Sequence, residues 1–264
     1  MNSIKELRDI CQETRESELY QMDWVARKIL RRISIYLTKL CLRLNISANQ
    51  VTLVSFLVAV AAGVFFTFAN PLYWFVGTLL FFFYMVIDCV DGEVSRYKRA
   101  KGKEPASPFG VGAFLDGIVG SVTWPYLFVC MTFGIYNTIN STIVFVFGFL
   151  ATVLRVIYMD IPVMSYPVLH ERGILDKAVR EAEGSRLEEA KVLKLGRALF
   201  GVRGFLPAIL IVITIDCFLP PFAVGSVDIN ARFIYLIIFA LAAGSGVIVR
   251  VVDVFRHGVR LQRY

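Results

Sequence analysis

Apolar residues in this chain come in long blocks broken by short polar stretches, not in the alternation of a half-buried strand. Six blocks stand out, at residues 51–69, 72–87, 114–135, 143–168, 205–219 and 233–249. A hydrocarbon core takes about 20 mostly apolar residues of helix, or about 17 at the short end, so the blocks predict six membrane-spanning helices. The first is entered through Ser47 and Gln50, spaced as a capping box, and the Asn70–Pro71 pair marks a turn between the first two. Upstream, Trp24, Val25, Ile29, Leu30, Ile33, Leu37, Leu40, Cys41 and Leu44 recur at helical spacing with Arg27, Lys28, Arg31, Arg32 and Lys39 largely between them. That pattern predicts an amphipathic helix lying in the membrane interface, in preference to a soluble partner-binding helix.

Composition agrees. The chain has 264 residues, 57% of them hydrophobic, with 22 Phe and 11 Tyr, which lies outside the range of ordinary soluble domains. No linker-like or repetitive tract interrupts the apolar blocks. The expected fold is therefore an all-α integral membrane protein: an N-terminal helical segment over residues 1–48, one six-helix bundle over 49–258, and a tail over 259–264. The mixed-charge stretch 171–201 reads as a cytosolic helical connector.

Charge orients the bundle. Nine Lys and Arg precede the first block, five from Arg96 to Lys103 follow the second, eight from Arg172 to Arg203 follow the fourth, and Arg250, Arg256, Arg260 and Arg263 end the chain. The opposite loops carry only Arg232. Positive loops stay in the cytosol, so both termini are expected there. The same alternation accounts for the net charge of +7 without a nucleic-acid partner. No compact apolar segment near the N-terminus has signal-peptide form. Five scattered cysteines offer no zinc or redox spacing and read as buried reduced thiols, and His170 and His257 stand alone in their segments.

The candidate chemistry lies in carboxylates at block ends. An Asp at membrane depth costs about 2.5–3.5 kcal/mol on insertion scales, so it usually faces a polar cavity or a cation. Asp88 and Asp91, three apart, share a helix face, and Gly92 next to Asp91 permits close approach. Asp116 opens the following antiparallel span, so all three reach one pocket at the cytosolic edge. Hard oxygen donors without histidine or thiolate suit Mg²⁺ or Mn²⁺, and such cations suit phosphates. A single such Asp would read as a helix cap; the matched set reads as a metal site. Transport is the weaker alternative, because blocks one, two and six carry almost no polar residues at mid-depth.

The run Asp88, Asp91, Gly92, Ser95, Arg96, then Gly112 and Asp116, resembles the signature of the CDP-alcohol phosphotransferases, a family that includes phosphatidylinositol, phosphatidylserine and phosphatidylglycerophosphate synthases. The "SANQVT" at residues 47–52 is similar to that family's "TPNQVT". The resemblance covers about residues 32–129 at motif level and the rest only in topology. It implies transfer of a phosphatidyl or related group from a CDP-linked lipid, often CDP-diacylglycerol, to a small alcohol, with release of CMP. Asp88, Asp91 and Asp116 would hold the cations, and Gly92, Ser95 and Gly112 would let the nucleotide approach the backbone. Arg96 would hold the nucleotide end, with Asn49 and Thr52 near the phosphates. A homodimer in the membrane is also implied.

The sequence departs from this pattern in four places. Ser95 replaces an alanine and Ala48 a proline, and the loop between Arg96 and Gly112 holds fifteen residues, longer than the family's. The largest departure is Gly120, where the family has a fourth Asp that acts as metal ligand and proposed general base. Asp160, near the cytosolic end of the fourth block, is one candidate substitute base, with a structural pairing to Arg155 its equal alternative; a second route leaves water in the gap and has a metal alone lower the alcohol's pKa. Glu93 faces away from Asp91 and is worse placed. A catalytically impaired relative that binds CDP-lipid or metal without turnover is the alternative function.

Overall fold

A computed structural model describes residues 3–12, 29–102, 111–171, 205–219, 221–224 and 227–261; for residues 111, 113, 159–171, 227, 249–250 and 253–261 the description is of the backbone alone. The described residues are 87% helical, and four helices are long and apolar enough to cross a membrane, which makes this an all-α membrane-type chain. It falls into two compact units, Met1–Leu127 and Phe128–Tyr264.

The first unit begins with α1, Ile4–Gln12, which the hydrophobic pattern did not reveal. It has its own capping box: the Glu6 amide donates to Ser3 Oγ at 3.1 Å and the Ser3 amide to Glu6 Oε2 at 2.9 Å. α2 spans Arg31–Arg43 and closes on Asn45, whose positive φ of 55° lets the Ile46 amide reach back to the Cys41 carbonyl at 2.9 Å. α2 turns Ser34, Ile35 and Thr38 inward and leaves Ile33, Leu40 and Leu44 exposed, so its buried stripe is partly polar and its apolar stripe faces out. The expected start of this helix near Trp24 falls outside the described residues.

α3, Ala48–Phe66, carries the expected capping box: the Gln50 amide donates to Ser47 Oγ at 3.3 Å and the Ser47 amide to Gln50 Oε1 at 2.8 Å. α4, Pro71–Ala100, starts as the Asn70–Pro71 pair predicts, with the Leu72 amide donating to Asn70 Oδ1 at 2.9 Å. At 30 residues it is about 45 Å long, roughly ten residues longer than a hydrocarbon core of about 30 Å requires. The second apolar block ends at residue 87, while the helix continues through Asp88 and Asp91. Those carboxylates sit inside a continuous helix and not at its terminus.

α5, Val111–Ile139, packs on α3 and α4 within the first unit. Its Tyr126 hydroxyl donates to the Val60 carbonyl at 2.8 Å. The ring lies so close to Gly63 that an added β-carbon would sit 2.2 Å from it, so this contact needs a residue without a side chain. Trp124 meets Phe81 edge-on at 5.3 Å. These contacts fix the depth and rotation of α5 against α4.

The second unit holds the end of α5, α6 (Ile143–Glu171), α7 (Phe205–Phe218), α8 (Ala231–Leu261) and a two-stranded antiparallel ribbon, β1 (Phe222–Val224) and β2 (Val227–Ile229), which the all-helical expectation lacked. Its core is aromatic: Phe128 packs on Phe239 at 4.4 Å and on Phe205 at 5.9 Å. Asp216 of α7 accepts from the Ala231 amide at 2.7 Å and from Arg232, capping α8 and burying the ion pair. It thus links α7 to the start of α8. The side chain of Asp253 and the connector at 172–201 lie outside the described residues.

Candidate metal centre

Three elements of the first unit build the site. The Val51, Val90 and Val94 side chains form a buried cluster joining the start of α3 to the last turns of α4, with Leu37 and Cys41 of α2 packed on it. This fixes α4 with Asp88 and Asp91 on the face opposite α2. Asp116 stands on the first turns of α5. One carboxylate oxygen from each of Asp88, Asp91 and Asp116 lies within 4.8 Å of the others. The expected convergence is therefore present in the fold.

The three are not equivalent. Asp91 is buried at 6% exposure and accepts from the Thr52 hydroxyl at 2.8 Å, a hydrogen bond that orients its Oδ2. Asp88 is partly exposed and Asp116 opens to solvent. Thr52 is itself buried, 3.1 Å from the Ala48 carbonyl of the preceding turn. Asn49 is exposed, and its Oδ1 would lie 2.9 Å from a β-carbon at position 112, so Gly112 is what lets the starts of α3 and α5 meet. Ser95 lies one turn beyond Asp91 on α4, partly buried. Arg96 folds back along the helix, its terminal nitrogen 3.2 Å from where a Gly92 side chain would begin.

Two unit charges 4.8 Å apart repel by about 3 kcal/mol at an effective dielectric of ~20, and by less where Asp116 meets solvent. Three such charges therefore ask for positive charge among them. All the donor atoms are hard oxygens, Asp91 is held in place by Thr52, and two of the three carboxylates face outward. That is donor chemistry suited to a hard divalent cation held through a few carboxylates, with positions left open for water or phosphate. The residues present fit such an ion.

Gly120 stands one turn beyond Asp116, and no atom lies within 4 Å of where its β-carbon would be. The space a fourth carboxylate would occupy is open. Glu93 faces α1 and α2, away from the cluster, as its helical angle requires. Asp160 belongs to the backbone of α6 in the second unit, and its side chain lies outside the described ones. Cys11 and Cys130 are buried as expected of structural thiols; Cys41 and Cys89 are half-buried and Cys217, at the end of α7, is exposed, which corrects that reading for three of the five.

Helix register also reveals two residues that motif spacing passes over. Tyr84 lies one turn before Asp88, is 5% exposed, and is within electrostatic reach of all three carboxylates. Thr123, buried beside that phenol, lies one turn past Gly120 on α5. Together they form the floor of the site. Counting back four residues from Asp88 and forward from Asp116 would have found both.

No protein-family model matches the chain, and no curated protein matches it either.

Proposed function

We propose that the chain is a divalent-cation-dependent transferase of the CDP-alcohol phosphotransferase type, moving a phosphatidyl or related group from a CDP-linked donor, CDP-diacylglycerol foremost, to a small alcohol. The observation that carries this reading is the meeting of Asp88, Asp91 and Asp116 within 4.8 Å, from two helices and in the order that the resemblance implies. In this reading α3 to α8 are six spans, α6 and α7 supplying the two that are short in their described apolar parts, and α2 lies in the interface through Ile33, Leu40 and Leu44. The alternation of Lys and Arg sets both termini and the site on the cytosolic side. Two copies associate within the membrane.

The three Asp side chains hold Mg²⁺ or Mn²⁺, which when bound neutralises charge on a pyrophosphate. Thr52 orients Asp91. Gly92, Ser95 and Gly112 leave backbone accessible to the nucleotide, Asn49 borders the phosphates, and Arg96 pairs with the nucleotide end. An alcohol oxygen bonds to the β-phosphorus, the bond from that phosphorus to the bridging oxygen breaks, and CMP leaves with the electron pair. The hydroxyl proton passes to a carboxylate, and exposed Asp116 is the one of the three best placed to take it.

A second reading, a relative that binds CDP-lipid without turnover, draws on one observation: the open space at Gly120 where the pattern has its base. The test is Mn²⁺- or Mg²⁺-dependent CMP release from CDP-diacylglycerol with pooled small alcohols, with Asp116→Asn as control. Release that the control abolishes supports the transferase. Binding of CDP-lipid without release selects the second reading, and absence of both refutes the two together.

A further inference from the structure

Behind the carboxylate cluster, on the opposite face of α4, lies a second polar centre. Glu93 is fully buried, yet its carboxylate accepts three hydrogen bonds from two other helices: Gln12 Nε2 of α1 at 2.7 Å, Ser34 Oγ at 2.7 Å and Thr38 Oγ1 at 2.5 Å, both of α2. A buried carboxylate without partners is strongly disfavoured, so this latch is either closed with all its donors or costly. Gln12 spends its amide nitrogen on the Arg31 carbonyl as well, at 2.8 Å. Leu7, Cys11 and Ile35 bury the apolar side of the same junction, with Tyr97 packed on them.

The C-terminus of α1 makes the junction more than a packing contact. A helix end leaves its last carbonyls without partners and carries partial negative charge. Here two arginines take those carbonyls: Arg31 donates to Gln12 O at 3.3 Å and Arg96 donates through Nε to Cys11 O at 2.6 Å. Arg96 is the motif arginine. With Nε fixed on α1, its outer nitrogens are laid back over Gly92, beside Asp91, and its charge is felt at Asp91. Freed from Cys11, a long arginine near the end of a helix has many rotamers to choose from, and ordering it costs entropy at each binding event.

We propose that α1 is a positioning strut for Arg96: latched through Gln12 and Glu93, it holds the guanidinium over Gly92 so that an anionic phosphate group of a nucleotide ligand meets an arginine already in place. The inference rests on the reading of the site as a metal–nucleotide site and adds Glu93, Gln12 and the α1 carbonyl end as positioning elements. A nine-residue helix is marginal alone in water, so α1 holds its form only while docked. Loss of the dock should therefore disturb Arg96 and spare the carboxylates, which are set by α3, α4 and α5.

The test uses the full chain in detergent or nanodisc, with Mn²⁺ binding read by electron paramagnetic resonance, CMP binding at saturating Mn²⁺, and thiol labelling of Cys11 as the readout of docking. Leu7→Asp places a charge in the apolar side of the junction. The expected result is a Cys11 that becomes labelled, Mn²⁺ affinity within about twofold of the parent, and CMP affinity down roughly tenfold, the scale of one charge-assisted hydrogen bond. Glu93→Gln, which keeps the volume and disturbs the hydrogen bonds, should move CMP affinity the same way by a smaller factor, and it carries the test if Leu7→Asp does not fold. Unchanged CMP affinity with Cys11 exposed overturns the strut. Joint loss of Mn²⁺ and CMP binding also overturns it, since α1 would then support the whole turn and not the arginine. A parent protein that binds neither Mn²⁺ nor CMP refutes the proposed function itself, whereas failure confined to the variants refutes the strut alone.

Discussion

Gly120→Asp is the perturbation that most directly examines the open place in the site. No atom lies within 4 Å of the added β-carbon, so the side chain enters without repacking. It stands one turn from Asp116, at a β-carbon separation of about 6 Å, where two carboxylates repel by about 3 kcal/mol at an effective dielectric of ~20 and by less in contact with solvent. Without a cation the variant should therefore lose about 1–3 kcal/mol of stability. With Mn²⁺ the new carboxylate becomes a ligand, and a tenfold gain in affinity corresponds to about 1.4 kcal/mol. Stability and metal binding are linked, so the affinity gain is read in one observable, the rise in melting temperature between metal-free and Mn²⁺-saturated protein, while the repulsion lowers the metal-free starting point. At about 2–4 °C per kcal/mol, a tenfold gain should widen that rise by roughly 3–6 °C relative to the parent. Gly120→Asn, of the same size without charge, should leave it unchanged. If the Asp and Asn variants give the same Mn²⁺-dependent rise as the parent, position 120 does not face the carboxylates and the reasoning fails.

Thr52→Val removes the hydroxyl that orients buried Asp91, and should weaken Mn²⁺ binding by about tenfold in paramagnetic resonance titrations while leaving the helical circular dichroism unchanged. Gly63→Ala forces a β-carbon to 2.2 Å from the Tyr126 ring and should lower the melting temperature by overpacking worth about 1–3 kcal/mol. Gly117→Ala, with nothing within 4 Å, should raise it through helix propensity worth up to about 1 kcal/mol. Burial first, and the Glu93 charge second, push the Cys11 thiol up to about 11 against the favourable pull of Arg96. The folded state therefore holds that proton above the thiol's ordinary value of 9.0, so the stability it contributes is complete below pH 9 and is lost as pH rises toward 11. Cys11→Ala should flatten the fall in melting temperature over that window, and at pH 8 a maleimide should label exposed Cys217 and spare Cys11.

The parts of this structure legible in the sequence are those that local physics determines. Ser47 with Gln50, and Asn70 with Pro71, start α3 and α4 because a cap needs only residues within one turn of each other. The meeting of Asp88, Asp91 and Asp116 was also legible, since helix period and an antiparallel return suffice to bring them together. The end of α4 was not, because hydropathy records where the lipid stops and not where the helix does. α2 was read with its apolar stripe as the decisive face, whereas its inward face is Ser34, Ile35 and Thr38, whose hydroxyls answer a carboxylate 55 residues or more away. No local pattern in α2 signals Glu93. α1 was missed for the same reason, being held as a helix by a distant carboxylate and two distant arginines.

Charge explains why one helix carries both centres. α4 leaves the apolar layer near Asp88 and must bear Asp88, Asp91 and Glu93 within six residues, which on a free helix would be a concentrated block of negative charge. The fold separates them by angle. Asp88 and Asp91 turn to α3 and α5, where the Thr52 hydroxyl orients Asp91 and both stand within reach of Asp116, so that three carboxylates are gathered in one place. Glu93 turns to α1 and α2, where three neutral donors from two helices hold it. A buried carboxylate held by such a set of donors serves structure, and carboxylates gathered against one another with an opening to solvent suit a cation. Arg96 lies between the two faces and is tethered on the structural side by Cys11 O while its charge reaches the other. That asymmetry singles out Asp88, Asp91 and Asp116 from the other acidic residues described on these helices. It holds whether the site turns substrate over or binds it alone, because it depends on which face of α4 each carboxylate occupies and not on Gly120.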